Sequence, residues 1–193
     1  KQGHIAYPHL AENPIRGIVT LVGGLLAEPL DQGTAHFGAS NLEFSTLDVG
    51  NKAGNVIPQS AEAKFNIRFN DLWTYDTLAA EIESRLHRLA GNEIRYAVTF
   101  EPSNADAFLT EPGAFVEMAV ASIEQSTGIK PVLSTPGGTS DARFIKDYCP
   151  VIEFGLVGQT MHQIDERVPV ADIARLTAIY NDIIRRYFHH KSG

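Results

Sequence analysis

Ala61-Glu62-Ala63-Lys64-Phe65-Asn66-Ile67-Arg68-Phe69-Asn70 decides the fold. Apolar side chains at the odd positions alternate with polar ones at the even positions, as in a strand with one buried and one wet face. Asn41 to Val49 is also strand-like, with its alternation shifting phase near Thr46-Leu47, as a bulge would cause. Downstream, Leu78, Ile82, Leu86 and Leu89 share one helical stripe, and Ile94, Tyr96, Val98 and Phe100 alternate as inward positions of a further strand. Upstream, Ile15, Ile18, Val19, Val22, Leu25 and Leu26 recur at helical spacing from Asn13. Pro14 sits near the start of that helix, where its missing N–H costs little. Gly23-Gly24 inside it points to close packing on a sheet. Gly3 to Tyr7 reads as the end of a strand. The order is β-α-β-β-α-β, a ferredoxin-like arrangement that fits in about 100 residues.

After Pro102-Ser103-Asn104-Ala105-Asp106 the character changes. A helix is expected from about Pro112 to Thr127, then a short strand at Pro131 to Ser134, then a glycine-bearing loop and a second short helix. The apolar run Cys149 to Phe154 reads as a buried strand, and the last helix carries Ile173, Leu176, Tyr180, Ile183, Ile184 and Tyr187. Alternating strands and helices predict a parallel α/β layer. Two or three strands make a poor sheet alone, so this half is expected to complete a sheet supplied by another segment. The chain opens at Lys1 without an initiator Met and is read as a piece of a longer protein. The predicted fold class is therefore α+β and α/β, a ferredoxin-like domain over 1–108 followed by a partial α/β domain over 109–193.

A chain of 193 residues with 44% apolar content can build a real core. Its net charge of −7 argues against nucleic acid or an anionic membrane as the main partner. No apolar run approaches the roughly 18–20 residues a membrane helix needs, and no signal-like segment opens the chain. The single Cys149 excludes an internal disulfide; its place beside an apolar run predicts a small core residue in a reducing cytoplasm.

Chemistry concentrates in two loops. Gly155-Leu156-Val157-Gly158-Gln159-Thr160-Met161-His162-Gln163-Ile164-Asp165-Glu166-Arg167 places one histidine after a strand with two carboxylates close behind. That is where α/β enzymes put catalytic or metal-binding groups, although a surface imidazole beside a helix-starting Asp-Glu pair fits too. Gly137-Gly138-Thr139-Ser140-Asp141, between a strand and a helix, lets the backbone approach a ligand; Ser140 or Asp141 could equally be a helix cap. The loop matches neither a Walker A loop nor a dinucleotide fingerprint. A Ser140–His162–Asp triad lacks the G-x-S-x-G elbow. His4, Tyr7, Asn55 and Arg68 have ordinary structural readings as strand-end, turn and solvated side chains.

Five motifs occur in order: Gly3-His4-Ile5-Ala6-Tyr7-Pro8-His9, Gly54-Asn55-Val56-Ile57-Pro58, Phe65-Asn66-Ile67-Arg68-Phe69, Gly137 to Phe144, and Met161-His162-Gln163-Ile164-Asp165-Glu166. Together they resemble the succinyl-diaminopimelate desuccinylases, dinuclear-zinc amidohydrolases of the aminoacylase/carboxypeptidase-type metallopeptidase family. The resemblance covers essentially the whole chain. It implies a lid and dimerisation domain followed by the second half of a catalytic domain, in a cytoplasmic homodimer acting on a small-molecule substrate. It implies two zinc ions per active site, with cobalt as a substitute, and His162 as the C-terminal metal ligand. It implies that His4 reaches across the dimer to stabilise an oxyanion, while Tyr7, Asn55 and Arg68 face substrate from the lid. Gly138, Thr139 and Ser140 match the loop lining the substrate pocket. The family's other metal ligands and its glutamate base lie upstream of Lys1, so this chain alone is expected to be inactive. A substrate-contacting asparagine that can stand near Gly158 in the desuccinylases is absent here. Alternatives are a relative acting on acetylornithine or a dipeptide, a non-catalytic dimerisation module, and a metal-free serine hydrolase. The dimer edge is expected at Val49, Ile57 and the strand carrying Phe65 to Phe69, which has no Pro to blunt pairing.

Overall fold

The alternating stretch is a strand. In a computed structural model that describes residues 1–103, 106–136 and 140–190, the elements run β1 (Gly3–His4), α1 (Pro14–Ala27), β2 (Asn41–Asp48), β3 (Val56–Ile57), β4 (Glu62–Arg68), α2 (Tyr75–Ala90), α3 (Ala114–Thr127), α4 (Ala142–Ile145) and α5 (Val170–His190). A single 3-10 turn, Pro8–Leu10, follows β1. The chain divides into two units, Lys1–Ala107 and Phe108–Gly193.

In the first unit β2 and β4 pair antiparallel, with Asn41 opposite Arg68 and Phe44 opposite Phe65. The two phenyl rings stand 5.6 Å apart at a tilt, a cross-strand pair that holds the register. The bulge falls between Phe44 and Thr46, a residue earlier than the sequence suggests. Ser45 is the extra residue. Beyond it the positions of β2 on the Phe44–Phe65 face change from even to odd, which sets Leu47 opposite Ala63 on that face, at an end of the sheet where Leu47 is exposed. Against that face Leu21 and Leu25 of α1 meet Ile82, Leu86 and Ala90 of α2. Leu42, Phe44, Phe65 and Ile67 close the cluster, and Ile82 is fully buried.

The helix ends follow local chemistry. Asn13 accepts the Ile15 N–H at 3.0 Å with Pro14 at the first helical position. Thr74 and Thr77 form a reciprocal cap on α2, and Gly91 at φ 53° ends it. Arg85 is buried against the end of α1, giving Nη1–H to the Glu28 carbonyl at 2.7 Å and pairing through Nε with Glu81 at 2.7 Å. A Cβ on Gly24 would stand 2.3 Å from Leu89 Cδ2. That glycine therefore serves the contact between helices, not the sheet contact expected, and nothing stands close to Gly23.

Several expectations need correction. Residues 94–100 run without a ladder. The Ile94 N–H is spent on the Ala90 carbonyl at 3.2 Å, which bends the start of this segment into the end of α2. Ile94, Val98 and Phe100 still pack on the core, but Tyr96 is exposed. Val19 and Leu26 are exposed, and Leu21 takes the buried place in α1. Ile57 is 3% exposed, so its side chain is buried within the first unit and offers no surface to a second copy.

In the second unit α3 and α5 pack through Ala119, Ile123, Ile179 and Ile183, with Phe115, Met118, Ile152 and Phe154 against them. The buried line of α5 thus runs through Ile179 and Ile183, leaving Ile173 and Ile184 exposed. Residues 131–134 and 149–154 form no strand, because neither segment has a ladder partner among the described residues. Val132 is 87% exposed, and Cys149 is exposed where a core residue was expected. No helix among the described residues is long and apolar enough to cross a membrane.

Asp31 ties the first unit's connections together. Its carboxylate accepts N–H groups from Gly33 at 2.8 Å, Ser40 at 3.0 Å, the Asn70 amide at 2.7 Å and the Trp73 indole at 2.8 Å. Burial pushes this carboxyl up, but the donors from Ser40, Trp73 and Gly33 outweigh it and hold Asp31 well below the usual carboxylate range. A carboxyl depressed on folding contributes stability that is complete above its ordinary value and lost as pH falls through the folded one. Asp31→Asn should therefore lower the unfolding free energy by roughly 1.5–3 kcal/mol at neutral pH. The gap between the two proteins should narrow below about pH 4. Urea titrations of both proteins across that range measure it; an equal gap at every pH would contradict the assignment.

Candidate functional site

Two of the singled-out residues meet on the ribbon formed by β1 and β3. Gly3 stands opposite Ile57 and His4 opposite Val56. Just beyond, the Ile5 N–H donates to the Asn55 carbonyl at 3.0 Å, which makes His4 and Asn55 neighbours. The Ala6 N–H donates to His4 Nδ1 at 3.1 Å, and the Tyr7 N–H to the His4 carbonyl at 2.9 Å. With Nδ1 engaged as an acceptor, a neutral His4 ring carries its proton on Nε2 and can donate outward. The Tyr7 ring lies 5.8 Å from His4 and 6.3 Å from His9, and Tyr7 is exposed. A cleft of about 270 Å³ opens beside the ribbon, walled by Ile5, Ile15, Val56, Asn13, Asn51 and Lys52; His4 is not in its wall. Arg68 belongs to the other ribbon, at the end of β4, with its side chain on the exposed polar face.

Ser140 and His162 lie in the second unit. Gly138 and Thr139 fall outside the described residues. The Ser140 hydroxyl accepts the Ala142 N–H at 3.0 Å and donates to the Glu153 carboxylate. Ser140 therefore caps the turn into α4, while Asp141 makes no side-chain cap bond. Its proton points to a carboxylate and not to His162, which removes the basis for a serine triad. Sequence reasoning missed Glu153 because an exposed acid inside an apolar run carries no local signature.

His162 sits at φ 60° and Asp165 at φ 62°. Both are in the left-handed region, which costs a non-glycine residue free energy and marks an over-determined loop. The determinants are visible. Thr160 Oγ1 donates to the Arg167 carbonyl at 3.0 Å and accepts the Arg167 N–H at 3.0 Å, closing the loop at its neck. Inside, the His162 N–H donates to Glu166 at 3.3 Å and Arg167 donates to the Asp165 carbonyl at 3.2 Å. The imidazole is left exposed at the tip. No three His, Cys, Asp or Glu side chains converge on a metal position among the described residues. Zinc takes four ligands, of which at least three normally come from protein. One exposed imidazole with Glu166 committed to its backbone does not amount to that donor set.

Comparison with known proteins gives a consistent picture. Residues 1–93 match the peptidase dimerisation domain. The chain is 64% identical over 188 residues to a succinyl-diaminopimelate desuccinylase of Methylorubrum populi, covering 97% of this chain and 49% of that protein. It is 66% identical over 187 residues to the protein of the same name from Methylobacterium nodulans, covering 97% of this chain and 47% of the relative. The chain thus spans about half the length of the curated relatives it matches. Among solved structures, a tripeptidase from Staphylococcus aureus superposes with a TM-score of 0.70 at 16% identity, over 95% of this chain and 48% of its own. An M20-family metallo-carboxypeptidase from Sulfolobus solfataricus does so with a TM-score of 0.61 at 11% identity, over 95% of this chain and 54% of its own. At these identities the superpositions show a shared fold.

The neck of the His162 loop can be tested directly. Thr160→Val keeps the side chain's volume and removes both of its hydrogen bonds. Hydrogen exchange at the Arg167 amide should then accelerate by about tenfold, the factor expected for one lost hydrogen bond, while Thr160→Ser stays near the parent rate.

Proposed function

We propose that the chain is the lid and C-terminal catalytic segment of an enzyme of the succinyl-diaminopimelate desuccinylase family. The whole enzyme would hydrolyse N-succinyl-LL-2,6-diaminopimelate to succinate and LL-2,6-diaminopimelate, in the cytoplasm, on the route to diaminopimelate and lysine. The observation that carries the reading is 64% identity over 97% of the chain with a curated desuccinylase. On this reading residues 1–108 are the lid and dimerisation domain and 109–193 the later part of the catalytic domain.

His4 is the catalytic donor. Its Nε2–H meets the amide carbonyl oxygen as that atom gains charge in the transition state, where a preorganised hydrogen bond is worth most. The Ala6 N–H on Nδ1 supports this role by fixing which nitrogen donates. Arg68 offers a planar guanidinium suited to a substrate carboxylate, with Tyr7 and Asn55 as further lid contacts. Ser140 belongs to the loop proposed to line the substrate pocket.

Catalysis is metal-dependent on this reading, in keeping with the metallo-carboxypeptidase among the structural relatives. Two zinc ions per site, replaceable by cobalt, are the proposed metals, and His162 contributes one imidazole. The described residues do not hold such a site by themselves. The 193-residue chain should accordingly release no succinate above a His162→Ala control.

In a full-length enzyme containing this segment, His4→Ala should lower turnover by roughly a hundredfold or more. Metal content, measured by elemental analysis, should stay unchanged; a fall would make His4 a ligand instead of a donor. The match to a dimerisation domain supports a homodimer joined through the lid, with Val49 and the strand edge as the surviving candidates for contact. Sedimentation of the 193-residue chain at micromolar concentration should show a dimer, and a clean monomer would sink this part.

A further inference from the structure

We infer that Asn51 is a positioning residue, whose side-chain amide fixes the loop before β3 and, through that strand, the placement of His4 and Asn55. The inference rests on the roles proposed above for those two residues. Asn51 is exposed, yet its side chain makes three hydrogen bonds to the backbone of its own loop. Nδ2 donates to the Ala53 carbonyl at 3.1 Å and to the Val56 carbonyl at 2.9 Å, and Oδ1 accepts the Ala53 N–H at 3.3 Å. The Val56 N–H returns to the same Ala53 carbonyl at 3.3 Å. The loop is thus bound to itself around one amide, just after the chain turns at Gly50, φ 64°.

What the amide holds is the ribbon that carries the site. Val56 is the residue opposite His4, and the Asn55 carbonyl receives the Ile5 N–H. This ribbon has two register pairs only, Gly3 with Ile57 and His4 with Val56. So short a ladder does not sustain itself and depends on its anchors. One anchor is the buried Ile57 side chain. The other is Asn51. No other kind of side chain of this size both donates twice and accepts at one place. Aspartate in its place keeps the acceptor but loses both donations, and sets a carboxylate against the carbonyl oxygens of Ala53 and Val56.

The test uses the 193-residue chain and NMR, so it does not depend on activity. In Asn51→Asp, amide exchange at Ile5 and Val56 should accelerate by about tenfold or more, with a smaller rise in Asn51→Ala. Exchange within α2 should not change in either variant. The ring-nitrogen signals of His4 should move from a fixed Nε2–H tautomer toward an average of the two. An unmoved His4 signature and unchanged exchange at Val56 in both variants would overturn the inference. So would acceleration in α2 equal to that at Val56, since Asn51 would then serve stability generally. If His4→Ala left turnover intact in a full-length enzyme, the catalytic role of His4 would fail while the Asn51 result stood on its own readout.

Discussion

The first unit depends on a carboxylate that has nothing to do with its core. Asp31 receives donors from the loop after α1, from the residue before β2, from Asn70 two residues beyond the end of β4, and from the approach to α2. Asn70, itself buried, doubles the connection by donating to the Gly38 carbonyl and accepting the Leu72 N–H. Both routes between helix and sheet pass through this one junction. Apolar burial sets how tightly α1 and α2 press on the sheet, but it is non-directional and cannot say where each chain enters and leaves. The hydrogen-bonded charge does say so. Its donors are fixed in direction, and leaving any of them unpaired in a partly buried place costs free energy.

The two histidines are held in place by different means. His4 is placed by a ladder of two pairs and oriented by a main-chain N–H on its ring. His162 is placed by backbone in an unfavourable conformation, which persists because Thr160 and Arg167 close the loop around it. In the first case the ring is directed and the backbone relaxed. In the second the backbone is strained and the ring left to other partners. The proposed roles differ in the same way: a donor that must point at one atom needs the former, and an imidazole proposed to complete a set of ligands starts from the latter.

The sequence shows clearly whatever depends on side-chain periodicity. The alternation from Ala61 to Asn70 predicts β4, and the stripe through Leu78, Ile82 and Leu86 predicts α2, because in each the buried face follows directly from the backbone repeat. The bulge in β2 is visible as a change of phase. Partners are what periodicity does not contain. Residues 94–100 and 149–154 have the pattern of strands, but a strand exists through its neighbour's hydrogen bonds, and these segments have none among the described residues. The candidate functional residues of each unit divide along the same line. His4, Asn55 and His162 stand out by residue type and by family resemblance. Asn51, Glu153 and Thr160 act through the conformation of a loop, which no spacing rule describes. Asp31 was invisible for the same reason, its donors being spread over more than forty positions of the chain.

The extra residue in β2 bears on how this chain can change length. Ser45 is the only position in that strand opposite no residue of β4, so a lineage could lose it and keep every cross-strand neighbour intact. Loss of an interior residue away from the bulge, such as Leu42 or Glu43, would slide one flank of the ladder and turn its core side chains outward. Deletions in relatives of this chain are thus constrained unevenly, with the bulge at Ser45 the permissive point of the strand. A gap at that point of an alignment would leave the register intact, while one two positions earlier would imply a different sheet.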